Sequence, residues 1–305
     1  MQKRIILLSG PTASGKSKLA ISLAKKINGQ IINADSMQIY QELSVLTSRP
    51  GIDDLKEIKH HLYGFQSVKK DFSVGAWLKI LKKKIKLLEK SKITPIIVGG
   101  TGLYFNAITK GISQIPEINT KFRNEIRNLY VKIGAKKFFE KLIEIDPISQ
   151  KKILPSDKQR VLRAYEVKKF TKKSMFEWAK KTKSDFIGYD LKKIYLQIPK
   201  EELLKKIQIR TQNIIQNGAI LEVENFLKLN IKNSLSANKI IGIREIKSFL
   251  DGSISLKEAE QAIIIKTRQY AKRQNTWCRG YMANWHKIYS KDPAKLLKKV
   301  LKVVS

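Results

Sequence analysis

A stretch near the start of the chain, residues 10–17, reads Gly-Pro-Thr-Ala-Ser-Gly-Lys-Ser. This is the spacing of a phosphate-binding P-loop, whose glycines let the loop curl until its backbone amides point at phosphate oxygens. A helix that begins beside the loop adds the positive end of its dipole. Lys16 supplies a mobile charge, and Ser17 is placed to ligate Mg²⁺. The stretch predicts a di- or triphosphate site formed by Gly10, Thr12, Ala13, Ser14, Gly15, Lys16 and Ser17.

A carboxylate, Asp35, follows a second short apolar stretch over residues 30–34. The carboxyl ends of parallel strands meet at one edge of a sheet, so we expect Asp35 near the P-loop. A carboxylate there could take a proton from an attacking nucleophile, and the Gln38 amide suits the edge of a base. The alternative is structural, because Asp35 or Ser36 could cap a helix.

The elements that must position these residues alternate between strand and helix. Apolar runs at 4–8, 30–34 and 94–98 have the length and composition of buried strands, and 72–90 has the pattern of a long helix. Such alternation favours a parallel sheet covered on both faces. We therefore predict an α/β fold with a P-loop NTPase-like parallel sheet core and a helical insertion domain.

The insertion is predicted where the strand pattern stops. Over residues 114–186 apolar residues recur at helical spacing, and an alternating pattern resumes at 191–198. Residues 1–113 and 187–305 then form the catalytic core, whose last third is helical. Ser255 three residues ahead of Glu258 is a capping box that opens a helix through Tyr270.

The charge balance is strongly basic. Among 305 residues, 61 are Lys or Arg and 26 are Asp or Glu, which gives a formal net charge of +35. A polyanionic partner is one explanation. The codon bias of an AT-rich genome is the other, because most of the basic residues are Lys and the chain is also rich in Ile and Asn.

Cysteine and histidine usage excludes an intrachain disulfide and a Cys-rich zinc site. Cys278 is the single cysteine, and the three histidines, His60, His61 and His286, have no metal-ligand spacing. For His60 and His61 a structural hydrogen-bonding role is favoured over a place in the active site. No apolar run is long enough for a signal peptide or a transmembrane span. We expect a cytoplasmic monomer that does not associate with membranes.

Five motifs occur together and in order: the P-loop, residues 33–40, His60-His61-Leu62, Val98–Tyr104 with its Gly-Gly-Thr-Gly-Leu-Tyr sequence, and Arg268–Gln274. In this combination the chain resembles the tRNA dimethylallyltransferase (tRNA isopentenyltransferase) family, up to about Gly280. Two stretches depart from the family pattern. Leu154-Pro155-Ser156-Asp157 stands for His-Pro-Asn-Asp, and Leu46-Thr47-Ser48-Arg49-Pro50 stands for Gly-Thr-Ala-Lys-Pro.

The resemblance implies transfer of a dimethylallyl group from dimethylallyl diphosphate to the exocyclic amine of the adenine 3′ to a tRNA anticodon. It implies that Asp35 is the general base, that Thr101 contacts the transfer site, and that Arg210 and Lys16 neutralise the departing pyrophosphate. The tRNA-binding positions it implies are Asp35, Ser36, Met37, Gln38, Thr101, Arg123, Gln159, Arg160, Val161, Leu162, Arg163, Gly242 and Arg244. On the helix opened by the capping box, cations are crowded together with polar residues, which predicts that Lys272, Arg273 and Gln274 also bind tRNA; a merely solvated helix face is the alternative.

Two other functions remain open at the level of sequence. A P-loop on a parallel sheet equally suits an ATP-dependent kinase, although the strand at 96–98 ends in Gly-Gly-Thr instead of the acidic residue of a Walker B motif. An RNA-binding module without chemistry is the third reading, and it would not need Asp35.

Overall fold

The computed structural model describes residues 3–305 and has a six-stranded sheet at its centre. The strand order is β3-β2-β4-β1-β5-β6, and every neighbouring pair is parallel. The strands are β1 (Arg4–Ser9), β2 (Gly29–Asn33), β3 (His60–His61), β4 (Thr94–Gly99), β5 (Asp190–Leu196) and β6 (His286–Ile288). The predicted fold class is confirmed, although sequence patterns did not predict the short strands β3 and β6.

Twelve α-helices connect and cover the described strands: α1 (Lys16–Lys26), α2 (Ile52–Glu57), α3 (Val74–Lys90), α4 (Gly102–Thr109), α5 (Thr120–Ile145), α6 (Lys158–Thr171), α7 (Met175–Lys180), α8 (Lys200–Ile214), α9 (Ile220–Lys228), α10 (Ile243–Leu250), α11 (Leu256–Tyr281) and α12 (Pro293–Val304). Short 3₁₀ turns lie at Pro147–Lys151 and Ser236–Lys239, and a π-helical turn joins α8 to α9 at Ile215–Ala219. Within residues 3–305 each helix is too short or too polar to span a bilayer.

The strand β1 shows why the sheet is buried. Ile5, Ile6, Leu7 and Leu8 are all 0% exposed, so side chains that point to opposite faces are equally excluded from water. This is the burial expected of a parallel sheet with both faces covered. On one face, Ile6 and Leu8 share an apolar cluster with residues of α1 and α12.

The chain divides into two compact units. One comprises residues up to Ala107 together with Phe186–Ser305, and the other is Ile108–Asp185. The second unit is helical and packs α5 against α6 around Phe138 and Leu142, which are both 0% exposed. The helix α5 is interrupted at Gly134, where φ is +80°.

At the carboxyl end of the sheet, β2 and β4 come unusually close. The amide of Ala34 donates to the Val98 carbonyl at 2.7 Å, and the amide of Thr101 donates to the Ala34 carbonyl at 3.2 Å. A Cβ at Gly99 would lie 2.1 Å from the Ala34 carbonyl oxygen, which is backbone and cannot rotate away. Gly99 is therefore required for the two strand ends to meet.

We expect Gly99→Ala to lower the free energy of unfolding by about 1–3 kcal/mol, because the strand ends must separate to admit the methyl group. Gly280→Ala is the matched control: its Cβ meets no atom within 4 Å, and it should stabilise α11 by up to about 1 kcal/mol. Urea denaturation of the two variants checks this. Equal stability of Gly99→Ala and the parent would contradict the close approach.

Candidate active site

The P-loop connects β1 to α1, as predicted. Gly15 precedes the helix with φ of +83°, in the left-handed region, and the amide of Ser14 donates to the Pro11 carbonyl at 3.2 Å. A cavity of about 990 Å³, the larger cavity, lies against the loop and is lined by residues 12–18. Ser17 is exposed at the start of α1.

The larger cavity is strongly electropositive. Among the described residues that line it, Asp35 alone is acidic, whereas five are cationic: Lys16, Lys18, Arg49, Lys206 and Arg210. This excess of positive charge suits a polyanionic ligand such as a diphosphate.

Lys16 donates from Nζ to the Pro11 carbonyl at 3.0 Å. Burial lowers the pKa of its ammonium group to about 8; Asp35 opposes that shift, and Arg210 adds to it. The side chain is therefore cationic at neutral pH and close to titrating. An anion in the larger cavity would favour its charged form.

Asp35 lies just beyond the end of β2 in a network with Thr101, which follows β4. Its Oδ1 accepts from the Met37 amide at 2.9 Å, while the amide of Ser36 donates to Thr101 Oγ1 at 2.9 Å. No α-helix begins at Asp35, so Asp35 does not cap a helix; its side chain stabilises a local turn instead. The structure thus brings Asp35, Thr101 and the P-loop to one edge of the sheet.

Arg210, on α8, contacts the P-loop although it lies 198 residues after Thr12 in the sequence. One guanidinium nitrogen, Nη1, donates to the Thr12 hydroxyl, and Nη2 donates to the Thr47 carbonyl at 3.2 Å. Burial lowers the pKa of Arg210, and Asp35 opposes the shift. The guanidinium nevertheless stays protonated at neutral pH. It therefore offers a fixed cation beside the P-loop.

A second cavity of about 260 Å³, the smaller cavity, adjoins the first. Thr12, Asp35, Gln38 and Arg210 line both cavities. The remaining walls of the smaller cavity are mainly apolar, but Lys239 and Arg273, both exposed, also line it. The electropositive larger cavity and the mainly apolar smaller cavity therefore meet at the Asp35 carboxylate and the Arg210 guanidinium.

Gln38 differs from its predicted role in one respect. Its Nε2 donates to the carbonyls of Thr47 and Ser48, at 3.0 and 2.9 Å. Both amide protons are used within the protein, so only the Oε1 acceptor is available to the edge of a base.

One face of α11 forms part of the site. Gln274 is 8% exposed; it accepts from the Thr12 amide at 2.8 Å and donates to the Gly100 carbonyl at 3.0 Å. Its side chain links the P-loop to the loop that carries Thr101, so its contacts lie inside the protein rather than on an RNA-facing surface. Sequence reasoning missed Tyr270, which hydrogen bonds to Thr101 and lines the smaller cavity. Its spacing of four from Gln274 on a helix was the available signal.

Lys272 and Arg273 are adjacent in sequence but lie against different spaces. Arg273 lines the smaller cavity, whereas Lys272 lines a separate groove between α8 and α11 together with Arg268 and Arg279. Successive helical residues do not face the same way, which separates the two side chains.

Two more predicted tRNA-binding residues lie at the start of α10. Arg244 is exposed. Gly242 is buried with φ of +107°, and its amide donates to Glu245 Oε2 at 2.8 Å. Gly242 can therefore contribute only backbone to any contact.

In the helical unit, the predicted tRNA-binding residues fall into three environments. Gln159 and Arg160 are exposed, and Leu162 packs against the apolar cluster of the unit. Val161 is 1% exposed within that cluster, so its side chain does not face RNA. Arg123 and Arg163 each form an ion pair with the buried Glu166, at 3.9 and 3.6 Å.

The histidines have the structural role that was favoured. His61 Nε2 hydrogen bonds to Gln30 Oε1 at 2.7 Å, and His60 Nδ1 donates to the Ile58 carbonyl at 2.7 Å. Burial lowers the pKa of His61 to about 4, with Lys84 and Lys59 adding to the shift. The neutral ring joins β3 to β2. Among residues 3–305 no group of three or more His, Cys, Asp or Glu could hold a metal ion.

A family model described as IPP transferase matches residues 38–281. The chain belongs to this family. A tRNA dimethylallyltransferase of Pelagibacter ubique is 52% identical over 295 residues, which cover 97% of this chain and 93% of that protein.

Two solved structures of the IPP transferase type are similar over nearly the whole chain. A tRNA delta(2)-isopentenylpyrophosphate transferase of Staphylococcus epidermidis has 30% identity, a TM-score of 0.70 and 98% coverage of both chains. A tRNA isopentenylpyrophosphate transferase of Bacillus halodurans has 28% identity, a TM-score of 0.69 and coverage of 99% and 97%.

The family that the five motifs predicted is thereby confirmed. The matched span of the IPP transferase model contains Thr101, Arg210 and all of α11. It also contains the whole helical unit Ile108–Asp185, which an ordinary P-loop kinase core would not require.

The pKa of Lys16 predicts a pH dependence of anion binding. As pH rises through about 8 the ammonium group loses its proton, so affinity for inorganic pyrophosphate should fall by up to about ten-fold per pH unit. Lys16→Arg is the control, because its guanidinium stays charged and pyrophosphate ionises identically with both proteins. The ratio of the two dissociation constants, measured by calorimetry from pH 7 to 10, isolates Lys16. A constant ratio would contradict the assignment.

Proposed function

We propose that this chain transfers the dimethylallyl group of dimethylallyl diphosphate to the exocyclic amine of the adenine 3′ to the anticodon of a tRNA. The observation that carries the proposal is the meeting of two cavities at Asp35 and Arg210. One cavity has the P-loop and excess positive charge, as a diphosphate needs. The other is mainly apolar with a cationic rim, as an inserted base with flanking phosphates needs. The names of the similar proteins agree with both ligands.

The leaving group is stabilised electrostatically. Breaking the bond between the allylic carbon and its oxygen places negative charge on the pyrophosphate, and the P-loop, Lys16 and Arg210 line the cavity in which we propose that it binds. Donors held in place before the reaction need no reorganisation as charge develops. Loss of one such donor costs about 2.7–4 kcal/mol of activation free energy in comparable sites.

Asp35 removes the proton that the acceptor must lose. The amine nitrogen forms a bond to the allylic carbon as the pyrophosphate leaves with the bonding electrons, and the surplus proton passes to the carboxylate. The hydrogen bond from the Met37 amide to Oδ1 fixes the orientation of the carboxyl group. The Tyr270–Thr101–Ser36 hydrogen bonds hold the adjoining wall.

The acceptor base reaches this point only after it leaves the anticodon-loop stack. Reaction at a stacked base is blocked, so enzymes that modify bases draw them into a pocket. Lys239 and Arg273 line the smaller cavity and would contact the phosphates that flank an inserted base. In the helical unit, Gln159, Arg160 and Arg163 are the side chains that we assign to the tRNA. Because the proposed acceptor is a tRNA, we propose that the enzyme acts in the cytoplasm.

The donor set fits Mg²⁺ held mainly by the diphosphate. Mg²⁺ keeps several waters and uses one or two protein oxygens beside substrate phosphates. The exposed Ser17 hydroxyl is the protein ligand we propose, with Asp35 lining the same cavity. When bound, Mg²⁺ would neutralise charge on the diphosphate.

A transfer assay tests the function, and Asp35→Asn tests the mechanism. Labelled dimethylallyl diphosphate should label an anticodon stem-loop that carries the acceptor adenine and release pyrophosphate. Asp35→Asn keeps the Oδ1 acceptor, so we expect kcat to fall by about 100- to 10,000-fold with tRNA affinity nearly unchanged.

Asp53→Asn, in an exposed part of α2, is the control and should behave like the parent. A stem-loop lacking the adenine should remain unlabelled. Absence of transfer to several adenine-bearing loops would refute the function. Equal losses of turnover and affinity in Asp35→Asn would refute the role of general base.

The rim of the smaller cavity makes a separate prediction about RNA binding. Arg273→Gln should weaken stem-loop binding and reduce the slope of log affinity against log salt by about 0.7, as expected for one lost contact to single-stranded phosphate. Lys257→Gln, sixteen residues earlier on α11 and also exposed, should leave the slope unchanged. Fluorescence titrations at several salt concentrations measure the slope for each variant and for the parent. The same slope for Arg273→Gln and the parent would show that Arg273 belongs to a solvated surface and contacts no phosphate.

A further inference from the structure

Residues 44–47 form a wall that both cavities share. Ser44 and Val45 line the larger cavity, and Leu46 and Thr47 line the smaller one. The segment belongs to no helix or strand of the described chain. Turn hydrogen bonds run from the amides of Ser48 and Arg49 to the carbonyls of Val45 and Ser44, at 2.9 and 3.0 Å. The amides of residues 44–46 take their partners from elsewhere in the chain.

One carboxylate accepts from all three of these amides. Glu222, in the first turn of α9, accepts at Oε1 from the amides of Ser44 and Val45, at 2.6 and 2.8 Å, and from the Ser44 hydroxyl at 3.0 Å. Its Oε2 accepts from the Leu46 amide at 2.8 Å. Three successive backbone amides thus converge on a single side chain that lies 176–178 residues away in sequence.

The next residue of the wall, Thr47, orients two side chains of the site. Its carbonyl accepts from Arg210 Nη2 at 3.2 Å and from Gln38 Nε2 at 3.0 Å. The other guanidinium nitrogen, Nη1, contacts the Thr12 hydroxyl in the P-loop. The Thr47 carbonyl and the Thr12 hydroxyl together therefore set the direction in which Arg210 presents its charge.

We infer that Glu222 is a positioning residue for the transfer reaction: by holding residues 44–46 it places the Thr47 carbonyl, which aims Arg210 at the diphosphate. The inference rests on the proposed function for its role in turnover. Its effect on the binding of a diphosphate does not require that function.

The chemistry of the contact requires a carboxylate. All four groups that face Glu222 are donors, and a carboxylate accepts at both oxygens. A glutamine would turn one N–H₂ group toward backbone N–H groups, so a donor would face a donor. A buried donor without an acceptor is costly, and the segment would move to reach water.

The decisive measurement is the affinity for inorganic pyrophosphate, determined by calorimetry at constant pH. Glu222→Gln should weaken binding by about ten-fold, the effect of one misplaced charged hydrogen bond. The matched control is Glu224→Gln on the same helix, where the parent residue pairs only with Lys228 at 3.3 Å, and binding should be unchanged. Glu222→Asp keeps the charge with a shorter reach and should lose about three-fold.

A double-mutant cycle with Arg210→Gln separates positioning from a general loss of structure. If Glu222 acts through Arg210, then Glu222→Gln should change pyrophosphate affinity less than two-fold once the guanidinium is gone. The same ten-fold loss in both backgrounds, or no difference between Glu222→Gln and Glu224→Gln, would overturn the inference. Should Glu222→Gln unfold at the assay temperature, the cycle with Glu222→Asp gives the same decision from its three-fold effect.

Turnover adds a readout that distinguishes this inference from the proposed function. For dimethylallyl transfer, Glu222→Gln should lower kcat/KM for the diphosphate donor by about ten-fold and leave the KM for the stem-loop within two-fold. A parent protein that binds pyrophosphate but transfers no label would refute the proposed function and leave the binding cycle valid. A parent that transfers label, with a Glu222→Gln variant that behaves like Glu224→Gln, would refute the inference alone.

Discussion

Two cations, Lys16 and Arg210, lose solvent in the larger cavity, and Asp35 is the acidic residue that accompanies them. Removing a charged group from water works against folding, and this burial is the main cause of the lowered pKa of Lys16, to which Arg210 adds. The same imbalance makes the cavity receptive to a polyanion, whose binding restores the missing negative charge. The same charge arrangement therefore lowers the stability of the ligand-free site and raises its affinity for a diphosphate.

The loops around these cations are held in place by side-chain attachments. Each attachment is a polar side chain that joins two segments distant in sequence. Gln274 joins the P-loop to the Gly100 carbonyl, Thr101 joins β4 to Ser36, and Glu222 holds residues 44–46. Trp77, fully buried on α3, donates to the Asn33 carbonyl at 3.1 Å and stacks on Tyr104. These contacts join the segments that line the two cavities.

The parallel sheet makes this arrangement possible. Its strands deliver the P-loop, Asp35 and the Gly-Gly-Thr loop to one edge, while the backbone itself is satisfied by the ladders. The polar groups beyond the strand ends remain available for ligands and attachments. The helix α11 then adds Tyr270 and Gln274 from above that edge, and its other faces carry the exposed cations. One helix therefore lines the site on one side and is exposed on another.

The sequence by itself determined the P-loop, the strand that delivers Asp35, the α/β class and the family, because these depend on local spacing and on short motifs that few folds share. It also determined the helical character of the second unit. Only the tertiary structure decided that Gln274 and Val161 are buried, that Lys272 and Arg273 line different spaces, and that Glu222, Thr47 and Tyr270 belong to the site. The reason is physical: burial and hydrogen-bond partners arise from contacts between segments far apart in the chain, and no local spacing records which backbone amides a distant carboxylate will meet.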